Sequence, residues 1–306
     1  HIVASSSLYG GTRTLLEHTF ADFGIDVTFV DDPDDPGAWA AAVRPATKAL
    51  FGESLGNPRG NVLDIEAVAR VAHEAGVPFV VDNTVLTPYL LRPFEHGADI
   101  VVHSTTKFLS GHGTAIGGIV VDGGRFDFGA DPGRWPGLTR PDPTYGGLSF
   151  WDSFSDLGLA YALRLRTRLV RDLGPAVSPF NSFLLLQGLE TLSLRIERHV
   201  SNAHALAVWL EDRPQVRRVH YPSLPSSPWR TQAKRYLHAV PGRSSPSNSR
   251  AVCGRGGGSW KGSGCSAISR TSVTSAVWSS TPPPPPTPNW TPVSRRRPVS
   301  RPAGAS

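Results

Sequence analysis

Six side chains of this sequence lie where short apolar runs give way to polar residues, and together they could bind and activate a small molecule. Asp82 ends the apolar run that begins at Pro78, and Lys107 ends a Ser-Thr-Thr-Lys segment. Tyr9 precedes two glycines, which permit close approach of the backbone to a ligand. A ring, a carboxylate, hydroxyls and an amine suit a planar ligand that carries a phosphate. The candidate site residues are Tyr9, Asn57, Asp82, Ser104, Thr106 and Lys107.

Each of these residues, taken alone, also has an ordinary structural interpretation. Asp82 is equally suited to cap a helix or form a turn, and the hydroxyls before Lys107 are typical of a polar loop. Asn57 precedes a proline, which favours a simple turn, and Tyr9 could be a half-buried turn residue. The glycine-rich segment that starts at Ser110 lacks the spacing of a P-loop. The functional interpretation therefore depends on the fold that brings the residues together.

Short β-branched runs alternate with amphipathic segments through about the first 125 residues. The clearest helix is predicted over Asp64–Ala75, with Asp64 as its N-cap and Gly76 as its stop signal. Strand–helix–strand alternation predicts an α/β fold with a mainly parallel sheet, in which ligands bind beyond the carboxyl ends of the strands. The candidate residues should therefore meet there. The predicted strands are an opening run from His1, Val27–Val30, Ala49–Phe51, Val77–Val81, Ile100–Val102 and Ile116–Val121.

The combination of side chains corresponds to what pyridoxal 5′-phosphate (PLP) requires of a protein. PLP needs a stacking ring, a carboxylate for its pyridine nitrogen, donors for its phosphate and an amine that can attach to it. The candidate residues supply one group of each kind from successive strand ends of one predicted domain. The residues alone thus favour a PLP site over a set of unrelated turns.

Several segments resemble, in order and spacing, the Cys/Met metabolism family of PLP-dependent enzymes. The segments that carry this resemblance are Ser7–Thr12, Glu53–Pro58, Val81–Thr84 and His103–Lys107. The segments that are similar to its O-acetylhomoserine sulfhydrylase branch are His112–Gly124, Pro136–Gly147 and Ser178–Leu192. The resemblance covers residue 1 to about residue 237. It implies an aminotransferase-like architecture of PLP fold type I, with a second, smaller and here incomplete domain.

The resemblance also implies a role for each candidate residue. Lys107 would attach the cofactor and then move protons as the catalytic residue. Asp82 would pair with the pyridine nitrogen and keep it protonated. The other implied cofactor contacts are Tyr9 stacked on the ring, Asn57 beside the ring hydroxyl, and Ser104 and Thr106 on the phosphate.

The implied reaction is γ-replacement on O-acetylhomoserine, in which sulfide or a thiol replaces acetate and gives homocysteine or a related product of methionine biosynthesis. Cystathionine γ-synthase and methionine γ-lyase activities stay open as alternatives, because they use the same cofactor residues. A different class, an inactive truncated remnant, also stays open. Family members have an N-terminal segment and an Arg that binds the substrate carboxylate, for which this chain shows no matching motif. The resemblance further implies a cytoplasmic homo-oligomer, a homotetramer.

Charge and cysteines are distributed unevenly along the 306 residues. The formal net charge is +6, but residues 241–306 hold nine basic and no acidic residues, so residues 1–240 carry a net charge of −3. Nucleic acid is therefore not an expected partner. Cys253 and Cys265 both lie in the basic tail, which predicts no disulfide framework, no metal site and a reducing cytosol. No run of 18 apolar residues occurs, so no membrane span is expected.

The sequence changes character after Leu237, where Leu and Phe disappear and Ser, Pro, Gly and Arg dominate. Trp278–Thr287 is what the family's segment Leu-Val-Ile-His-Pro-Ala-Ser-Thr-Thr-His becomes when GC-rich codons are translated one base later. We therefore interpret the tail as the product of a frameshift near residue 240. The predicted divisions are a PLP-binding large domain at 1–190 that lacks its N-terminal part, a bridging helix over about 187–212 within an interdomain and small-domain segment at 191–240, and an out-of-frame tail at 241–306.

Overall fold

The structure, a computed structural model, describes residues 1–238, and the predicted out-of-frame tail lies outside the described residues. One six-stranded sheet with the order β2-β1-β3-β4-β5-β6 forms the centre of this part of the chain. The first five strands are parallel, and β6 pairs antiparallel with β5. The predicted α/β fold with a mainly parallel sheet is therefore confirmed. The strands are β1 (Ile2–Ser5), β2 (Val27–Val30), β3 (Ala49–Glu53), β4 (Phe79–Asp82), β5 (Ile100–Ser104) and β6 (Gly118–Asp122).

All six predicted strands form, and every one except β2 extends past its apolar run to a polar residue. β3 continues to Glu53, β4 to Asp82 and β5 to Ser104. Backbone hydrogen bonds persist beyond these ends, because Ser54 N–H donates to the Asp82 carbonyl at 3.0 Å and Asn83 N–H donates to that of Val102 at 2.9 Å. The polar residues are therefore held as rigidly as the strands themselves.

The predicted helix after Asp64 is confirmed as α4. The Asp64 side chain accepts a hydrogen bond from Ala67 N–H at 3.2 Å, as an N-cap should, and Gly76 takes the left-handed conformation just after the helix. The α-helices are α1 (Gly10–Thr14), α2 (Phe20–Asp22), α3 (Pro36–Ala42), α4 (Ile65–Glu74), α5 (Thr87–Leu90), α6 (Pro136–Thr139), α7 (Phe150–Phe154), α8 (Ala160–Arg164), α9 (Arg171–Leu173), α10 (Pro179–Glu190), α11 (Leu192–Glu211) and α12 (Arg230–Tyr236). Turns of π or 3₁₀ type occupy Leu15–Thr19, Pro93–His96, Pro143–Tyr145 and Leu165–Val170.

The bridging helix predicted over about 187–212 differs from the structure, which has two helices, α10 and α11, separated at Thr191. The backbone of Thr191 leaves the helical region there, with φ −107° and ψ 8°. The Arg195 guanidinium donates to the carbonyls of Gly188 (2.6 Å) and Phe108 (2.9 Å), so the break is fixed against the loop after β5. The predicted domain boundary near residue 190 stays a prediction.

Apolar clusters lie on both faces of the sheet at β1–β3, and the larger cluster continues along one face through β4 and β5. Val3 points into the larger cluster and its neighbour Ala4 into a smaller one on the other face. The larger cluster joins the sheet to α3, α4, α5, α11 and α12. Its largest fully buried members are Trp39, Tyr236, Phe79, Leu50, Leu63, Ile65, Leu91 and Ile196.

A third cluster lies in the glycine- and proline-rich segment over residues 126–150 and in α8. Aromatic rings pack there beside β6, and Phe128 stacks on Tyr161 with ring centroids 5.6 Å apart. Phe128, Leu138 and Phe150 are its buried members. This segment is therefore ordered by its own small core.

Candidate active site at the carboxyl edge of the sheet

Two carboxyl groups lie side by side at the edge where the parallel strands end, which we call the carboxyl edge. Glu53 is the last residue of β3 and Asp82 is the last residue of β4, and the two are paired in the strand register. Asp82 is in turn paired with Val102 of β5, two residues before Ser104. Because parallel strands end on the same side, the register alone brings these polar residues together.

Lys107 and Tyr9 meet above this edge. Tyr9 is the N-cap residue of α1, and Lys107 lies in the turn that follows β5. The Lys107 Nζ atom lies 5.7 Å from the centroid of the Tyr9 ring. Both side chains are exposed, and the Tyr9 ring is 53% accessible. An amine and an aromatic face are thus presented together to solvent, where a planar ligand could enter.

The Asp82 carboxylate is oriented by Thr84. Asp82 Oδ1 accepts hydrogen bonds from the Thr84 backbone N–H at 2.9 Å and from the Thr84 hydroxyl at 2.5 Å. The Thr84 hydroxyl oxygen also accepts a hydrogen bond from Ser104 N–H at 2.8 Å. The ends of β4 and β5 are therefore tied to each other through one side-chain hydroxyl.

The hydroxyls of the Ser-Thr-Thr-Lys segment have different surroundings. Thr106 Oγ1 accepts from Gly117 N–H at 3.1 Å and lies 3.2 Å from the Gly117 carbonyl, so this side chain joins the turn to the start of β6. The Ser104 hydroxyl has no hydrogen-bond partner among residues 1–238 and is half-buried. Thr105 is buried, and its Oγ1 atom lacks a partner in the same part of the chain.

Glu53 is a buried carboxyl at the centre of this arrangement. Its Oε1 atom accepts a hydrogen bond from Tyr9 N–H at 2.6 Å, and only 7% of the residue is exposed. Burial raises the pKa of Glu53 from 4.5 to about 8, with a further rise from the negative charge of Asp82, against the lowering effect of the Tyr9 hydrogen bond. The group that holds the backbone of Tyr9 is therefore mostly protonated near neutral pH.

His103 lies beneath the same edge, on the buried side of β5. Burial lowers the pKa of its imidazole, which outweighs the raising effects of the Asp82 charge and a hydrogen bond to the Asn83 backbone. Its Nδ1 atom has no partner within residues 1–238. The neutral imidazole ring of His103 is therefore part of the buried interior beneath the sheet edge.

The structure brings together four of the six candidate residues through direct contacts or shared partners, namely Tyr9, Asp82, Ser104 and Lys107. Thr106 lies one residue before Lys107 and bonds to Gly117. Asn57 lies farther along the loop after β3, is exposed, and makes no side-chain hydrogen bond with residues 1–238. Its placement beside a cofactor ring stays a prediction.

Sequence reasoning missed Glu53 and Thr84 as parts of the site. Both were visible as neighbours of candidate residues, yet neither signals its role by residue type, because a Glu or a Thr after a strand is typical of ordinary turns. Their roles come from the register of β3, β4 and β5, which sets the distances between the strand ends.

The part of the chain that the structure describes, residues 1–238, contains no group of three or more His, Cys, Asp or Glu side chains that could hold a metal ion. Among the helices of the same residues, none is both long enough and apolar enough to cross a membrane.

A six-stranded, mainly parallel α/β sheet with a lysine, a ring and a carboxylate at its carboxyl edge is the arrangement expected of PLP-dependent enzymes of fold type I. The family model for Cys/Met metabolism PLP-dependent enzymes matches residues 1–242. The chain therefore belongs to the Cys/Met metabolism PLP-dependent enzyme family, as the resemblance of its motifs implied.

This chain is similar to proteins named as an O-acetyl-L-homoserine sulfhydrylase and as a homocysteine synthase. It is 51% identical over 241 residues to the O-acetyl-L-homoserine sulfhydrylase of Leptospira meyeri, covering 77% of this chain and 54% of that protein. It is 52% identical over 238 residues to the homocysteine synthase of Schizosaccharomyces pombe, covering 78% and 55%. The chain thus spans about half the length of these relatives.

Two crystal structures have the same fold. The O-acetylhomoserine sulfhydrylase of Wolinella succinogenes superposes with a TM-score of 0.66 at 40% identity, covering 77% of this chain and 62% of that one. A Campylobacter jejuni protein that carries N′-pyridoxyl-lysine-5′-monophosphate superposes with a TM-score of 0.71 at 40% identity, covering 77% and 58%.

Proposed function

We propose that this chain is the cofactor-binding part of an enzyme that uses PLP for γ-replacement on O-acetylhomoserine. Sulfide or a thiol displaces the acetoxy group from the γ-carbon, so that a C–S bond replaces the C–O bond, acetate leaves, and homocysteine or the corresponding thioether is formed. The observation that carries this proposal is the meeting of Lys107, Tyr9 and Asp82 at the carboxyl edge. The names of relatives at about 50% identity support the choice of substrate.

The side chains at the carboxyl edge fit PLP by their chemistry. Lys107 supplies the only side-chain amine at this edge among the described residues. Lys48 immediately precedes β3, at the opposite edge, and donates to the Arg134 carbonyl, and Lys234 lies in α12. Asp82 Oδ1 is occupied by Thr84, whereas its other oxygen makes no hydrogen bond within residues 1–238 and is free for a ring nitrogen.

The remaining contacts follow from the same donor set. The exposed face of Tyr9 is available for stacking. The proposed phosphate ligands are the hydroxyls of Ser104 and Thr106, and Asn57 is proposed to lie beside the ring hydroxyl. Each of these four cofactor contacts is a proposal that replacement of the single residue would test.

When bound, PLP supplies an electron sink for the negative charge that develops at the substrate α-carbon. Lys107 would attach the cofactor, be released when substrate binds, and then accept the α-proton at Nζ. The Asp82 carboxylate would hold a proton on the ring nitrogen. Tyr9 would fix the plane of the ring, and its backbone would be held by Glu53.

The division of the chain follows from this assignment. Residues 1–190 would form most of the PLP-binding large domain, and residues 191–240 would connect it to a smaller domain. We further propose that the enzyme acts in the cytoplasm as a homo-oligomer, a homotetramer, as the resemblance to its family implies.

Borohydride reduction tests the cofactor assignment. The sequence has four lysines, Lys48, Lys107, Lys234 and Lys261, so peptide mapping can distinguish them all. Incubation with PLP and reduction should label the peptide that contains Lys107. Lys107→Ala should abolish the label, and Lys48→Ala should leave it unchanged. A label on any other lysine would contradict the proposal.

Product analysis tests the reaction. O-acetylhomoserine and sulfide should give homocysteine and acetate, whereas release of α-ketobutyrate from methionine would indicate a γ-lyase instead. Formation of cystathionine from cysteine in place of homocysteine from sulfide would indicate a cystathionine γ-synthase.

A further inference from the structure

The Thr84 hydroxyl joins two elements of the proposed cofactor site that come from different strands. Its oxygen accepts a hydrogen bond from Ser104 N–H at 2.8 Å, and a backbone N–H can only donate. Its single proton is therefore directed to the remaining partner, Asp82 Oδ1, at 2.5 Å. One hydroxyl thus accepts from β5 and donates to the carboxylate that ends β4.

Thr84 forms hydrogen bonds with only one of the two carboxylate oxygens of Asp82. Oδ1 accepts both the Thr84 hydroxyl and the Thr84 backbone N–H. Oδ2 makes no hydrogen bond within residues 1–238 and is therefore the oxygen available to a ligand. Two donors on one oxygen prevent the carboxylate from rotating freely and fix the direction in which Oδ2 points.

The strand end itself is anchored by a different residue. Asn83 is fully buried, accepts a hydrogen bond from the Ser54 hydroxyl at 2.8 Å and donates to the Leu91 carbonyl at 2.9 Å. These bonds hold β4 to β3 and to the residues after α5 without Thr84. The Thr84 hydroxyl is therefore not required for the path of the backbone. Its hydrogen bonds instead orient the half-buried residues Asp82 and Ser104 at the carboxyl edge.

We propose that Thr84 is a positioning residue of the cofactor site, whose hydroxyl selects the Asp82 oxygen that meets the ring nitrogen and couples that carboxylate to the Ser104 backbone. This inference rests on the proposed binding of PLP by Asp82 and Ser104. It predicts that the pyridine-nitrogen contact and the phosphate-binding turn are energetically linked through one hydrogen-bonded chain.

The first experiment tests the link without cofactor. Thr84→Val keeps the shape of the side chain and removes the hydroxyl, and Thr84→Ser keeps the hydroxyl. Hydrogen exchange of the Ser104 amide should be at least about tenfold faster in Thr84→Val, because it loses its acceptor, and near that of the unaltered chain in Thr84→Ser. Equal exchange in all three proteins would overturn the proposal and leave PLP binding by Lys107 untouched.

The second experiment measures ligand affinity in the same three full-length chains. The probes are PLP and its 1-deaza analogue, in which a carbon replaces the ring nitrogen, and tryptophan fluorescence reports binding. Thr84→Val should weaken the affinity for PLP about tenfold, since it misdirects a charged hydrogen-bond partner, and Thr84→Ser should restore it. Affinity for the deaza analogue should fall by much less, because this probe cannot use Asp82 and keeps only the phosphate contacts near Ser104.

A purely structural role would give a different pattern. If Thr84→Val weakened both probes equally, the hydroxyl would only support the fold, and the proposal would be wrong. A double variant separates the two roles further, because Thr84→Val should weaken PLP affinity much less once Asp82→Asn is present than it does in the unaltered chain. Failure of the unaltered chain to bind either probe would refute the proposed function together with this inference.

Discussion

Strands β5 and β6 are neighbours in the sheet, but their surroundings differ. Val101 on β5 is 2% exposed, whereas its cross-strand partner Val121 on β6 is 36% exposed. The same contrast extends outwards, because α3, α4, α5, α11 and α12 bury one face of β1–β5, while Phe180 and Leu186 of α10 are 66% and 64% exposed. We call β1–β5 with α1–α5 the packed half, and β6 with α10 and the exposed face of α11 the open half. Binding chemistry is concentrated in the half that the described chain packs by itself.

The largest expected effect comes from two aspartates that each end a strand. Asp82 ends β4 at the carboxyl edge, and Asp122 ends the antiparallel β6 at the opposite edge. Asp82→Asn should slow solvent exchange of the substrate α-proton in the PLP-loaded chain by at least about a hundredfold, because the ring nitrogen loses its counter-charge. Asp122→Asn should leave the rate within about twofold. Deuterium incorporation measured by NMR checks both, and unchanged exchange in Asp82→Asn would identify it as a turn residue only.

The second comparison uses two tryptophans. Trp39 of α3 is fully buried, packs edge-on against Phe79 with ring centroids 6.4 Å apart, and donates to the Pro33 carbonyl. Trp39→Ala should lower the free energy of unfolding by about 3–5 kcal/mol. Trp209 of α11 is 51% exposed, and Trp209→Ala should cost less than about 1 kcal/mol. Urea unfolding measures both, and similar losses would show that the two halves are packed equally well.

The third comparison concerns pH. Because the pKa of Glu53 is about 8 in the folded chain and 4.5 is its ordinary value, folding favours the protonated carboxyl. Its contribution to stability is complete below pH 4.5 and is lost as pH rises to about 8, by at most about 1.4 kcal/mol per pH unit.

Glu53→Gln removes this charge while keeping an oxygen for Tyr9 N–H. The variant should therefore lose much of the decline in unfolding free energy between pH 5 and 8, as urea titrations at several pH values would show. Glu190→Gln, at the exposed end of α10, should retain the decline of the unaltered chain. A Glu53→Gln variant with the original pH dependence would rule out a buried protonated carboxyl.

The smallest effect is expected for two residues of the same type, Val101 and Val121, which are paired across β5 and β6. Val101→Thr places a hydroxyl in an apolar core and should cost about 1–3 kcal/mol of unfolding free energy. Val121→Thr changes a partly exposed position and should cost less than about 0.5 kcal/mol. Thermal denaturation of the two single variants gives the difference directly. Equal costs would mean that β6 is covered in solution.

The sequence was informative where local rules govern. Alternating apolar runs predicted all six strands, and the parallel-strand rule placed Asp82 and Lys107 at one edge. The Thr84 bridge and the burial of Glu53 were not predictable, since both depend on strand register and on distances between side chains remote in sequence. The break at Thr191 was missed because apolar periodicity continues through it, and tertiary contacts of Arg195 determine where the helix ends.

The hydrogen bond between Tyr236 and Asp64 joins residues that are 172 positions apart in the sequence. The bond from Trp229 to Asp34, 2.7 Å long, joins residues that are 195 positions apart. A growing chain therefore completes every strand of the sheet long before α12 exists to seal the core. During that interval the nascent protein exposes the apolar surface that Trp229 and Tyr236 later cover. We expect the cofactor-binding edge to assemble early in synthesis and the core to close last, which leaves the half-made chain most dependent on protection from aggregation.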